Sequence, residues 1–475
     1  MSQSQVQSDK KNFCFFGGKR QTLSDLWDFV HRYSHCFRAH RYNNTQTAFQ
    51  YLEGLMACER GKANMERMEE EINDSEYYAY QHFITNSTWD DVSLLRQLGR
   101  DASEELQREK RQNNLPVGVL IDESAHLKKG DKSVGVSRQY AGVVGKVDNC
   151  QVGVYCSLVN GERATLVHQR LFLPESWTSS PSRCEEAGIP ETHRSFQTKL
   201  ELALAMIDDL MSSGVLFDWV GGDGLYGHGT SFCRALHQRG LFYVLDVHKD
   251  ILVYLQEPHF SLPEKKSGRG RRPTQLKSDC PCIRLDDYME TLDESAWVEE
   301  KIRKTAKGWL VLKIHKTNVW IKDTKTGEVF RQTLIITRTT DGKNEIKYSL
   351  SNGELEAYTH KEYAYFQAQR YWVERVFQDS KGELGLSDYQ VRKWRSWQHH
   401  HVLVMMACLY MMKKRIENQE TYPLLSVRDA RILIIASLFG TEGNLQKRIQ
   451  QMEMRHKKRQ DDIDRRYKNN PCKME

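Results

Sequence analysis

The chain has no Cys-x-x-Cys pair, no apolar stretch long enough to cross a membrane and no apolar leader at its start. Its 11 cysteines are scattered, and the nearest two, Cys280 and Cys282, are separated by a single proline. An odd, unpatterned set of thiols excludes a disulfide framework and points to a reducing, cytoplasmic compartment. The longest apolar run, Val402–Met412, falls short of the roughly 20 residues a spanning helix needs, and Lys413, Lys414 and Arg415 follow at once. The opening MSQSQVQSDKKN is polar and lacks the apolar core of a secretory signal. The sequence therefore suggests neither a disulfide scaffold nor a membrane-spanning helix.

What is present is length and clustered charge. With 475 residues the chain can form two to four domains around a sizeable core. The net charge of +6 is mild, but its distribution is uneven. Basic residues crowd into Lys265–Arg272, Arg392–Arg395 and the tail after Lys447. Such clusters favour a polyanionic partner more than the total does.

Hydrophobic spacing divides the chain. Residues 1–12 read as a disordered tail. Residues 13–112 carry apolar positions at three- and four-residue spacing, as in TQTAFQYLEGLMACER and DDVSLLRQLGRDASEELQREKR, and form a predicted helical N-terminal domain. From 113 to 249 the texture becomes β-rich. PVGVLIDE, QVGVYCSLV and ATLVHQRLFLP read as three strands, followed by a helix near 195–212, a strand at 217–222, a short helix at 229–239 and the strand LFYVLDV. The order β-β-β-α-β-α-β is that of an RNase H-like α/β core. Residues 250–348 open with a Gly-, Pro- and Arg-rich loop and continue as alternating strands, a predicted β-rich insertion. A second part of the core follows at 349–415, with a helix beginning near His360. Residues 416–475 form a predicted helical, basic C-terminal region.

Three acids stand out. Asp122 and Asp223 each end an apolar run, VGVLIDES and FDWVGGDG, where a solubility role explains them poorly. In a twisted sheet, residues at the ends of neighbouring strands converge. Glu374 lies in RYWVERVFQDSK; at about 100° per residue it falls roughly 40° from Arg370 on a helix, and Lys381 roughly 20°. A carboxylate between two cations on one face can hold a metal and grip phosphate together. Asp122, Asp223 and Glu374 therefore form a candidate nuclease-like metal site, because Mg2+ takes hard oxygen ligands. The bland alternative for Glu374 is a surface glutamate paired with Arg370.

Longer motifs give a resemblance. IDESAHLKKGDKSVGVSRQYAGVVGKVDNCQVGV, LFLPESW, GGDGLYG, YVLDV and FQDSKGELGLSDYQVRKWRSWQHH resemble the DDE superfamily endonuclease domain of bacterial insertion-sequence transposases. The resemblance spans roughly residues 15–440. It implies that Asp122, Asp223 and Glu374 are catalytic and hold two Mg2+ ions, with Mn2+ able to substitute. It is similar in detail to cut-and-paste transposases, whose signature runs Tyr, two residues, Arg, three residues, Glu, six residues, Lys. Arg370, Glu374 and Lys381 match, while Gln367 occupies the tyrosine position. A β-rich insertion before the glutamate fits the same relatives. The implied activity is binding of terminal inverted repeats, metal-dependent cleavage and transfer of the freed 3′-OH to target DNA, by a homodimer in the synapse. Double-stranded DNA is the implied partner and the nucleoid the implied location.

Further candidates for DNA contact are Lys128, Lys129 and Arg138, just after Asp122, and Arg269, Arg271 and Arg272 in the GRGRRP loop. For each the alternative is a solvated side chain. The run His399–His401 has no acid or cysteine at ligand spacing and is read as structural or DNA-facing. Two other functions stay open: a catalytically inactive, transposase-derived DNA-binding protein, and a metal-dependent nuclease that cuts without joining.

Overall fold

The apolar run ending in Asp122 lies inside a twelve-stranded sheet in the computed structural model, which describes residues 19–263, 274–323, 326–342, 344–440 and 442–468. The described residues divide into two units. The first takes in the described residues up to Leu94, Asp379–Val391 and Arg395–Asp464; the second takes in Leu95–Gln378, Arg392–Trp394 and the residues from Arg465.

The sheet belongs to the second unit. Its strands are β1 (Gly118–Leu127), β2 (Ser137–Ala141), β3 (Lys146–Asn160), β4 (Arg163–Phe172), β5 (Trp219–Gly222), β6 (Phe242–Val247), β7 (Leu252–Tyr254), β8 (Cys282–Arg284), β9 (Val298–Thr305), β10 (Gly308–Lys322), β11 (Val329–Thr339) and β12 (Ile346–Ser351). Their order is β8-β7-β10-β11-β12-β6-β5-β1-β3-β2, with β4 on β3 and β9 on β10. Only β1-β5 and β5-β6 are parallel. Both faces of these central strands are covered, which is why they read as continuous apolar runs rather than alternating ones. The helix Lys199–Ser212 starts at a capping box between Thr198 and Glu201 and buries Leu202, Ala203, Met206, Ile207 and Leu210. It packs against β3 and β4.

Two local expectations change. The apolar stretches GWLVLKIH and TNVWIKD, which read as separate alternating strands, form one strand, β10; the polar residues His315, Lys316 and Thr317 interrupt the apolar pattern but not the pairing with β11. The strands after residue 250 also continue the core sheet, because β12 pairs antiparallel with β6. Their own core gathers Val253, Val319, Ile321, Leu334, Ile336 and Leu350. The tail 1–12 and the GRGRRP loop with Arg269, Arg271 and Arg272 lie outside the described residues.

The first unit is helical. Its described elements include Lys19–His31, Thr45–Ala57, Met65–Glu71, Tyr77–Thr85, most of Trp394–Glu417, and Val427–Phe439. The apolar run Val402–Met412 is buried on every side, as expected of a helix that is hydrophobic all round. Among the described residues no helix is long and apolar enough to cross a membrane.

The histidine run is part of this core. His399 stacks on Trp89 with ring centroids 4.0 Å apart, His400 pairs its Nδ1 with the Tyr51 hydroxyl at 2.8 Å, and His401 stacks on Trp397. Burial holds His399 down to about 3. An unfolded histidine titrates near 6.5, so the unfolded chain takes up a proton that the folded one refuses. The contribution of His399 is therefore intact above about pH 6.5 and is lost as pH falls toward 3, by about 2 kcal/mol at pH 5. Asp91, raised by burial to about 6, acts in the opposite sense over part of that range. The expected result is a melting temperature that falls more between pH 7.5 and pH 5 for wild type than for His399→Gln. Parallel curves would contradict it.

Candidate active site

Parallel pairing sets three aspartates on one level. In β1 and β5, Ile121 lies opposite Gly222; in β5 and β6, Gly222 lies opposite Leu245. The next residues are Asp122, Asp223 and Asp246. They sit at the carboxyl end of the parallel register, where open sheets of this kind collect ligands. Asp122 does not end its strand, as the sequence suggested. β1 runs on to Leu127 paired with β3, and only its parallel partner stops at Gly222.

Asp223 leaves β5 as the cap of the short turn Gly224–Gly227, accepting the Leu225 N–H at 3.0 Å. That turn lies hard against β6. A Cβ at Gly227 would stand 2.0 Å from the Asp246 carbonyl oxygen, so this position admits only glycine without moving the strand.

Glu374 arrives on a helix that is not continuous with the one before it. His360–Gln369 ends at Arg370, and Tyr371–Glu383 begins after it, correcting the single helix expected from near His360. Arg370 sits at the joint and reaches three carboxylates. Its Nε is 2.9 Å from Asp246, an Nη 2.9 Å from Glu374 and the other Nη 3.7 Å from Asp122. Burial opposes its charge, but Asp246, Asp122 and Glu374 outweigh burial and raise its pKa.

The carboxylates are not fully compensated. The Asp122 side chain is 15% exposed, and burial, with the charges of Asp223 and Glu123, pushes it up to about 7. The ion pair with Arg370 and the Glu123 N–H at 2.7 Å both pull the other way. At 3.7 Å the pair is too long to prevail. Glu123 is held by Lys199 at 2.6 Å and by the Tyr226 hydroxyl at 3.1 Å. Burial likewise raises Asp246, against the Ser349 hydroxyl that donates to it at 2.6 Å.

Five carboxylates, Asp122, Glu123, Asp223, Asp246 and Glu374, thus share the cations Arg370 and Lys199, with Lys347 also acting on Asp246. Among the described residues no three His, Cys, Asp or Glu side chains already converge as a metal-ligand set. The donor chemistry nonetheless fits a divalent ion, since the oxygens are hard, the site is short of positive charge, and one acid is strongly desolvated. The Arg370 guanidinium occupies part of that role.

The other expected residues are dispersed. Lys129 and Arg138 are exposed and Lys128 is half-buried, its backbone N–H bonded to Asn149. Lys381 is on the Glu374 helix but belongs to the first unit. Asp246, Glu123 and Lys199 were not anticipated. The signal for Asp246 was available, because the apolar run 241–245 in LFYVLDV is followed by an acid, as the runs before Asp122 and Asp223 are.

Comparison with known proteins gives the family. The sequence matches the DDE superfamily endonuclease family over residues 32–309, a span that contains Asp122 and Asp223 and stops short of Glu374. It is 25% identical over 345 residues to a protein of Microchaete diplosiphon described as a probable transposase for insertion sequence element IS701, covering 72% of this chain and 76% of that one. A match across more than half of its length shows that the chain belongs to the DDE superfamily endonucleases.

Proposed function

We propose that this endonuclease is the transposase of an insertion sequence, cutting DNA at the element's terminal inverted repeats and joining the freed end to target DNA. The observation that carries the reading is the register that sets Asp122 beside Asp223, together with Arg370 linking Asp122 to Glu374. Similarity to the probable IS701 transposase supports it.

Asp122, Asp223 and Glu374 would hold two Mg2+ ions, with Mn2+ able to substitute. When bound, the ions supply activation of the attacking oxygen and stabilisation of the leaving oxygen. The chain's own residues do the rest. The rigid parallel strands fix the two aspartates, and burial of Asp122 keeps water from screening the charge there. Arg370 offers planar donors suited to a phosphate oxygen. Lys128, Lys129, Arg138 and Lys381 are assigned to the DNA backbone. The helices of the first unit are assigned to recognition of the ends, and the synapse to a homodimer. The reading is tested by incubating purified protein with a duplex carrying the element's ends and scoring both cut and joined products. Cutting without joining would reduce it to a nuclease.

A further inference from the structure

The Arg370 guanidinium has a built seat. Its Nε meets Asp246 at 2.9 Å, and Asp246 is itself fixed from behind. The Ser349 hydroxyl donates to Asp246 at 2.6 Å, and the Gln367 amide donates to Ser349 at 2.7 Å. The Thr337 hydroxyl donates in turn to the Gln367 carbonyl oxygen. Thr337, Ser349 and Gln367 are all buried, at 2%, 0% and 3% exposure. Gln367 stands where the cut-and-paste signature has a tyrosine. Here that position is a link in a buried chain running from β11 through β12 to β6.

The two sides of the guanidinium differ. Toward Asp246 it meets a carboxylate locked by a satisfied network, and such networks rigidify what they hold. Toward the site, its Nη groups meet Glu374, which is 57% exposed, and Asp122, at the longer distance of 3.7 Å. One edge is fixed and the other is exchangeable.

We propose that Asp246 is a positioning residue: held by Ser349, Gln367 and Thr337, it anchors Arg370 so that the guanidinium neutralises Asp122 and Glu374 in the free enzyme and turns its Nη groups to DNA phosphate when those acids take metal. This rests on the reading of Asp122, Asp223 and Glu374 as the metal carboxylates. Asp246 acts through Arg370 and needs no contact with metal or DNA. A lysine at 370 could not fill the place, because a point charge cannot bridge separate carboxylates as a planar fork does.

The test is a double-mutant cycle on the full-length protein with Asp246→Asn, Arg370→Gln and the pair, using a duplex carrying the element's ends. Two readouts are taken: end binding in EDTA and the rate of Mg2+-dependent cleavage. Asp246→Asn is expected to weaken binding in EDTA, because an unanchored Arg370 no longer screens Asp122 and Glu374 from DNA phosphate, and to slow cleavage about 10- to 100-fold, the range for removing a partner that orients a site group. The double variant is expected to match Arg370→Gln in both, because the two residues form one unit. Ser349→Ala, which keeps every charge, should shift both readouts the same way by less. Binding that is unchanged or tighter in Asp246→Asn, or losses that multiply in the double variant, would overturn the proposal. Asp122→Asn separates the two readings. If it still cuts, the metal-site reading fails; if it is silent while the Asp246 and Arg370 losses multiply, only the seat fails.

Discussion

Glu374→Gln should abolish cleavage while leaving DNA-end binding within a few-fold of wild type. The reasoning starts from how little the fold asks of this side chain. It is 57% exposed and pairs with Arg370, four residues before it. An exposed pair at that spacing contributes only about 0.3–0.5 kcal/mol. The glutamine keeps the shape and can still accept from Arg370. A structural role therefore predicts almost no change. A ligand role predicts a large one, because removing an outer partner of a site group already costs about 10- to 100-fold, and a ligand itself costs more. Cleavage rates and mobility shifts on the same duplex decide it. Cleavage within tenfold of wild type would remove Glu374 from the metal site, and loss of binding would contradict the small part the fold assigns to this side chain.

Arg431→Met should be the most damaging substitution in the first unit, lowering stability by about 3–5 kcal/mol. Arg431 is 7% exposed. Its Nε donates to the Met56 carbonyl at 2.6 Å, a second nitrogen donates to the Cys58 carbonyl, and a third lies 3.3 Å from Glu383. Met56 and Cys58 lie at the end of the helix Thr45–Ala57, where carbonyls have no partner within the helix. Removing the guanidinium orphans them and leaves the Glu383 side chain, 3% exposed, with the half-exposed Arg60 at 3.1 Å. Stranding a buried charge costs more than the pair contributes, so Arg431→Met with Glu383→Gln should cost less than Arg431→Met alone. Calorimetry should show a drop of about 10 °C for the single variant. A shift under about 2 °C, or a double variant worse than the single, would contradict this.

Much of the site was legible because the chemistry is written locally. An acid that closes a β-branched apolar run is recognisable, and Asp122 and Asp223 are such acids. What the sequence could not carry is register. Nothing in VGVLIDE or FDWVGGDG says that Ile121 faces Gly222, and that pairing alone makes the two aspartates neighbours. Asp246 follows a third apolar run, with Val247 after it, yet it becomes meaningful only once β6 is known to lie beside β5. The helix break at Arg370 was hidden for a different reason. RYWVER contains neither Pro nor Gly, so the joint has no local signature; two of the three carboxylates around Arg370, Asp122 and Asp246, come from tertiary packing. The His399–His401 run, read as structural or DNA-facing, lies in the buried core. Three consecutive polar residues look like surface, but they point in different directions around a buried helix and find Trp89, Tyr51 and Trp397.

The central claim is that Asp122 belongs to a metal-dependent cutting site. The most direct measurement is cleavage of a duplex carrying the element's ends, in Mg2+ and in EDTA, by wild type and by Asp122→Ala. The account predicts cutting at the element end by wild type in Mg2+ alone, and none by the variant under either condition, with end binding retained by both. Tight binding by wild type with no cutting in Mg2+ or Mn2+, or equal cutting by Asp122→Ala, would contradict it.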